Sequence, residues 1–162
     1  MTEDDFGKLI DTLEFHEFLQ YIAIPKMRIS DSQYTTDERI DRDDQGGRTD
    51  LSLVFDELQS SKGVKRVLKI VVDDSLSPPH SDETIEKSLR PLGVEIWDWK
   101  RFDICSEVIY NAAPKVREVY LYSTGNNAVL RSWSDQGGLR KLDNLEKVHV
   151  EVKQVRLRIS SS

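Results

Sequence analysis

Asp73, Asp74 and Ser75 follow one apolar run, Asp98 and Lys100 close a second, and Ser123, Thr124, Gly125, Asn126 and Asn127 follow a third. Carboxylates from two such sites can hold a hard cation such as Mg²⁺, and a Gly-Asn-Asn turn ahead of a helix can aim backbone N–H groups at a phosphate. The same residue types are those that turns and helix caps demand, and that reading takes precedence here. His80 sits between Pro79 and the capping residue Ser81, close to the same edge, and is read as fixing the entry to the following helix. The candidate binding edge is therefore Asp73, Asp74, His80, Asp98, Lys100, Ser123, Asn126 and Asn127, with no catalytic residue, metal or cofactor assigned.

The other reactive side chains carry weaker signals. His16, His80 and His149 lie far apart, and no pair has the spacing of a zinc site, which needs three or four convergent ligands. Cys105 stands on the first turn of an expected helix and on its apolar stripe, so it is assigned to the core. Trp97 and Trp99 alternate to the same side of one strand and are expected beneath a helix. No Gly-x-Ser-x-Gly elbow, phosphate loop or Gly-x-Gly-x-x-Gly turn is present, which disfavours a self-contained serine or nucleotide enzyme.

The elements that position these residues follow from hydrophobic period. Apolar runs at Val67–Val72, Val94–Trp97, Val119–Tyr122 and Val148–Val152 begin roughly 25–30 residues apart, the length of a strand plus a crossover helix. Phe18–Ile24 adds a first strand that stops at Pro25. Between the runs, Leu51, Val54, Phe55 and Leu58 fall at helical spacing behind Thr49 or Asp50, with Gly63 beyond the end. Ser81 caps a second helix ended by Pro91 and Gly93. A third opens at Asp103 and ends before Pro114. Residues 1–13 read as a docked helix with Leu9, Ile10 and Leu13 inward. Because Val67–Val72 is apolar at nearly every position, the expected fold is α/β. Its mainly parallel sheet of about five strands carries helices on both faces, a three-layer sandwich. The alternative is a leucine-rich-repeat-like solenoid, suggested by the spacing of Leu139, Leu142, Leu145, Val148 and Val150 and of Val116, Val119 and Leu121.

At 162 residues the chain is one domain's worth. The net charge of −6, with no clustered basic face, argues against nucleic acid as a partner. A single cysteine, no basic-then-apolar leader and no run of membrane-span length point to a cytoplasmic, reducing setting with no membrane. Residues 30–48 are rich in aspartate and nearly free of apolar side chains, so they are expected to form a mobile acidic loop able to recruit a basic partner. Residues 156–162 read as a frayed tail or linker.

The stretch Val67–Asp74 with Pro79-His80-Ser81-Asp82, followed by Glu95-Ile96-Trp97-Asp98-Trp99-Lys100 and Val119 to Leu130, resembles the region upstream of the protease domain in fungal intracellular subtilisin-like serine peptidases. The resemblance covers roughly residues 16–152. It implies an accessory setting beside a catalytic domain, and no Asp-His-Ser triad motif is present to carry over. The leading expectation is thus a non-catalytic accessory domain that binds a protein partner or a protease domain in cis, as a sensor, inhibitory or positioning module. The alternative is a small Mg²⁺-dependent phosphoryl-handling or ligand-binding enzyme using the same edge.

Overall fold

The computed structural model describes residues 1–30 and 46–153. Most of the expected acidic loop and all of the expected tail at 156–162 lie outside the described residues. Five strands, β1 (Phe18–Ile24), β2 (Arg66–Asp73), β3 (Ile96–Phe102), β4 (Glu118–Ser123) and β5 (Lys147–Val152), form one sheet in the order β1-β2-β3-β4-β5, with every neighbouring pair parallel. The helices are α1 (Glu3–Asp11), α2 (Leu51–Asp56, running into a π turn at Glu57–Ser61), α3 (Asp82–Leu89), α4 (Ser106–Ala112) and α5 (Asn127–Ser134). The α/β class and the parallel five-stranded sheet are those expected from the sequence.

The layering differs from the sandwich. A doubly wound sheet reverses its strand order so that crossovers fall on opposite faces. Here each strand is added on the same side of the last, and right-handed crossovers then place every helix on one face. Accordingly α2 packs on α3 and α3 on α4, with α4 against the 3-10 turn Leu139–Lys141, while α1 shares a groove with α2 lined by Phe6 and Leu53. The expectation of helices on both faces is therefore corrected to two layers. One-directional winding is what the solenoid alternative required.

Burial alternates as a half-covered sheet demands. In β4, Val119, Leu121 and Ser123 are buried, whereas Glu118, Tyr120 and Tyr122 on the opposite parity are only half-buried. Ile70, Val72, Trp97 and Trp99 join Val119 and Leu121 under Phe55, Ile85, Leu89, Ile104 and Ile109. Capping follows the expected chemistry. The Ser81 hydroxyl accepts from the Thr84 amide at 3.2 Å, and Gly93 closes the segment after α3 in the left-handed region at φ 60°. The third helix starts later than expected. Asp103 has φ 56°, α4 begins at Ser106, and Cys105 projects into solvent rather than into the core. In α1 the buried positions are Phe6 and Ile10, and Leu9 and Leu13 are exposed.

Candidate functional site

Because all strands run the same way, their carboxyl ends share one rim, and the sequence-predicted residues divide among three places. Asp73 ends β2, where its Oδ1 accepts from the Ser75 hydroxyl at 2.5 Å and the Ser75 amide at 3.2 Å. Ser123 ends β4 fully buried, donating to Asp103 Oδ1 at 3.1 Å and accepting from the Gly125 amide at 3.0 Å. The remaining Asp103 capacity is taken by the Thr124 amide at 3.1 Å and the Thr124 hydroxyl at 2.5 Å. Asn126 caps α5 through the Ala128 amide at 2.9 Å, and Asn127 is the exposed first residue of that helix. These groups form turns and caps. Among the described residues no set of three or more His, Cys, Asp or Glu side chains is arranged to hold a metal ion. A sheet wound in one direction also lacks the switch point at which α/β proteins open a ligand crevice.

Asp98 lies below the rim, and Lys100 lies within β3 at the level where β2 ends. β3 does not stop at Trp97 but continues to Phe102, so both lie within the strand on the face away from the helices, Asp98 level with Val71 and Tyr120 and Lys100 level with Asp73.

Asp74 and His80 belong to a buried ionic knot that the sequence did not assemble. His80 Nδ1 meets Asp74 Oδ1 at 2.8 Å, and Nε2 meets Asp50 Oδ1 at 2.9 Å. Arg48 Nη2 donates to Asp74 Oδ1 at 3.0 Å, and Trp99 Nε1 donates to Asp74 Oδ2 at 2.9 Å. Arg48 further holds the carbonyls of Pro78 and Met27 at 2.8 and 3.1 Å, and Asp50 Oδ2 accepts from the Ile29 amide at 2.8 Å. Burial pulls the His80 pKa down, but hydrogen bonds to Asp50 and Asp74 and the charge of Asp74 outweigh it, and the net shift is upward. Burial pushes both carboxyls up, yet the bonds from His80, joined by Trp99 at Asp74 and the Ile29 amide at Asp50, bring them below the ordinary value. The His80 side chain has no exposed surface, so this group binds chain to chain and does not present itself to a substrate. His80 thus has a structural role at the entry to α3, as expected, with partners that were not.

The open face of the sheet is the other organised surface among the described residues. Across the five strands Tyr21, Lys69, Ile96, Glu118 and Lys147 form one row, and Ala23, Val71, Asp98, Tyr120 and His149 form the next. Lys69 Nζ lies 5.8 Å from the Tyr21 ring centre and 5.7 Å from that of Tyr120, within cation–π range of both. Tyr120 stacks on His149 with ring centres 4.3 Å apart, and Glu118 Oε1 accepts from Tyr120 Oη at 2.9 Å and lies 2.8 Å from His149 Nε2. Tyr122 donates its phenol to Asp98 at 2.7 Å; burial first, and that acceptor second, raise its pKa and keep it a donor. The bond from Tyr120 is the main reason Glu118 is held below the ordinary carboxylate value. The face is a small apolar floor, Ala23, Val71 and Ile96, flanked by aromatic side chains that hold one another upright. Its signal in the sequence is the alternation of Tyr120 and Tyr122 with Val119 and Leu121. Comparison with protein-family models, with curated proteins and with solved structures found no match for this chain.

Proposed function

We propose that the chain is a non-catalytic protein-interaction module that receives its partner on the open face of the sheet, and that this partner is the catalytic domain of a subtilisin-like serine peptidase. The observation that carries the first part is the chain of contacts Tyr21–Lys69–Tyr120–His149 across two adjacent rows, four side chains from four strands ordered by each other and, among the described residues, covered by no helix. Aromatic groups fixed in advance lose little freedom on binding, and they supply the anchors that protein interfaces favour. The choice of partner is supported by the sequence resemblance, and the net charge of −6 favours a basic surface opposite, attracted more strongly at low salt. A Mg²⁺-dependent phosphoryl-handling enzyme at the rim has no observation in its favour, since Asp73, Asp74 and Asp103 accept hydrogen bonds from their own chain.

Titration with such a catalytic domain at low ionic strength, followed by backbone amide shifts, is expected to move Lys69, Ile96, Tyr120 and His149 and to leave α3 and α4 still. Tyr120→Ala is expected to weaken binding at least tenfold, about 1.4 kcal/mol or more. No binding at low salt removes the partner, and shifts confined to the helix layer remove the face.

A further inference from the structure

We propose that β5 is a self-association edge along which two copies of the chain pair antiparallel, about a two-fold axis passing through His149. All six residues of β5 are exposed on both faces. The helix layer ends short of it, leaving Val148, Val150 and Val152 open on the helix side at 44%, 49% and 46% exposure. Among the described residues no strand lies beyond it. Exposed edges are usually blunted by a bulge, a proline, an inward charge or edge charges of one sign such as lysine. β5 has an unbroken six-residue register with β4 and no proline, and its edge charges Lys147 and Glu151 are of opposite sign, so a second copy can match them.

The backbone restricts how a second strand can join. The Lys147 amide donates to Arg117 O at 3.1 Å and the Lys153 amide to Ser123 O at 2.9 Å, so the odd-numbered residues turn their N–H and C=O groups toward β4. By alternation Val148, Val150 and Val152 turn theirs outward. Keeping the open faces of two copies on the same side requires like-parity pairs. Centring on His149 satisfies this, with Val148 opposite the other copy's Val150 in hydrogen-bonded pairs, formed twice. It also sets Lys147 opposite the other copy's Glu151, twice. Moving the centre to Val150 keeps the hydrogen bonds but sets Lys147 against Lys153. Moving it to Val148 sets Lys147 against His149. The His149 centre pairs lysine with glutamate twice and His149 with its own copy, whereas the Val150 centre gains two His149–Glu151 pairs but sets two Lys147–Lys153 pairs directly opposite, which is destabilising. Such an isologous contact closes on itself as a dimer. A single six-residue strand pair belongs with the small, transient interfaces below about 1,200 Å², so the equilibrium should respond to concentration.

Sedimentation equilibrium of the full chain over a wide concentration series is the test. A reversible monomer–dimer equilibrium is expected. Lys147→Glu and Glu151→Lys singly are each expected to weaken it about tenfold, because each turns two attractions into repulsions, and the double exchange is expected to restore it. Val150→Pro removes an outward donor without touching the bonds to β4, so it is expected to abolish pairing while the far-ultraviolet circular dichroism is kept. Four results overturn the proposal: one-chain mass at every concentration, association indifferent to the charge exchange, growth beyond two copies, or a dimer that forms only after residues 154–162 are removed.

Discussion

His80 has carboxylate oxygens against both ring nitrogens, so both nitrogens carry protons and the ring is a buried cation. The charged groups around it are Asp50, Asp74, Arg48 at Asp74, and Arg101, whose Nη1 donates to the His80 carbonyl at 3.1 Å. Its folded pKa lies above the 6.5 of a free histidine, so its stabilisation is complete below about pH 6.5 and is lost as pH rises through the folded value. For Asp50 and Asp74 the folded values lie below 3.8, so their contribution is complete above that and is lost as pH falls through the folded values. Stability measured by urea unfolding should therefore peak between these limits. His80→Gln is expected to cost about 3–5 kcal/mol at pH 6, by leaving Arg48 as the one cation against two buried carboxylates, and to flatten the alkaline limb. An alkaline limb of unchanged slope in that variant would assign the titration elsewhere. The role of His80 was legible because it adjoins the cap Ser81. Its partners were not, because Arg48 and Asp74 are 26 residues apart and Asp50 and His80 are 30 apart. Asp50 reads from sequence as a helix cap. It does stand at the N-cap of α2, but its carboxylate makes no capping bond and goes to His80 and the Ile29 amide.

Most element ends follow from sequence, with β1 at its expected bounds and β2, β4 and β5 within one residue of theirs; β3 and the start of α4 do not. Ser81, Asn126 and Gly93 act within a few residues of themselves, so the start of α3, the start of α5 and the stop after α3 follow from residue type. β3 was displaced because Val94 starts the apolar run but pairing begins at Ile96, and because Asp98, Lys100 and Arg101 look like turn residues although β2 on one side and β4 on the other keep them extended. The connection between α5 and β5 offers a sharp test of element packing. A methyl group built on Gly138 would stand 2.1 Å from Ser132 O and 2.7 Å from Trp133 O, both backbone atoms at the end of α5. Nothing lies within 4 Å of one built on Gly137. Gly138→Ala should cost about 1–3 kcal/mol through forced displacement of that helix end, and Gly137→Ala should stay within about 0.5 kcal/mol of the parent. Equal midpoints in urea for the two variants would show that the turn yields freely.

The number of strands and their shared direction follow from the spacing of the runs, but the number of layers does not, and Val71 shows why. A run apolar at every position of Val67–Val72 but Lys69 reads as cover on both faces. In the molecule Val71 lies on the open face between Ala23 and Asp98, part of an apolar floor with no helix above it among the described residues. One-directional winding has a consequence for stability, since each strand touches only the strand before and the strand after it, as in repeat proteins whose stability is a sum of neighbour terms. β2 and β3 have a strand on each side and carry Ile70, Val72, Trp97 and Trp99, all essentially buried. Among the described residues β5 has one neighbouring strand and no helix cover. Native-state hydrogen exchange in dilute solution should therefore show graded protection, slowest for the amides of β2 and β3 and fastest for β5, with β4 between. Raising the protein concentration should slow the outward amides Val148, Val150 and Val152 selectively if copies pair along that edge. Uniform protection across all five strands in dilute solution would show that the sheet opens only as a whole, and that neighbour terms do not govern it.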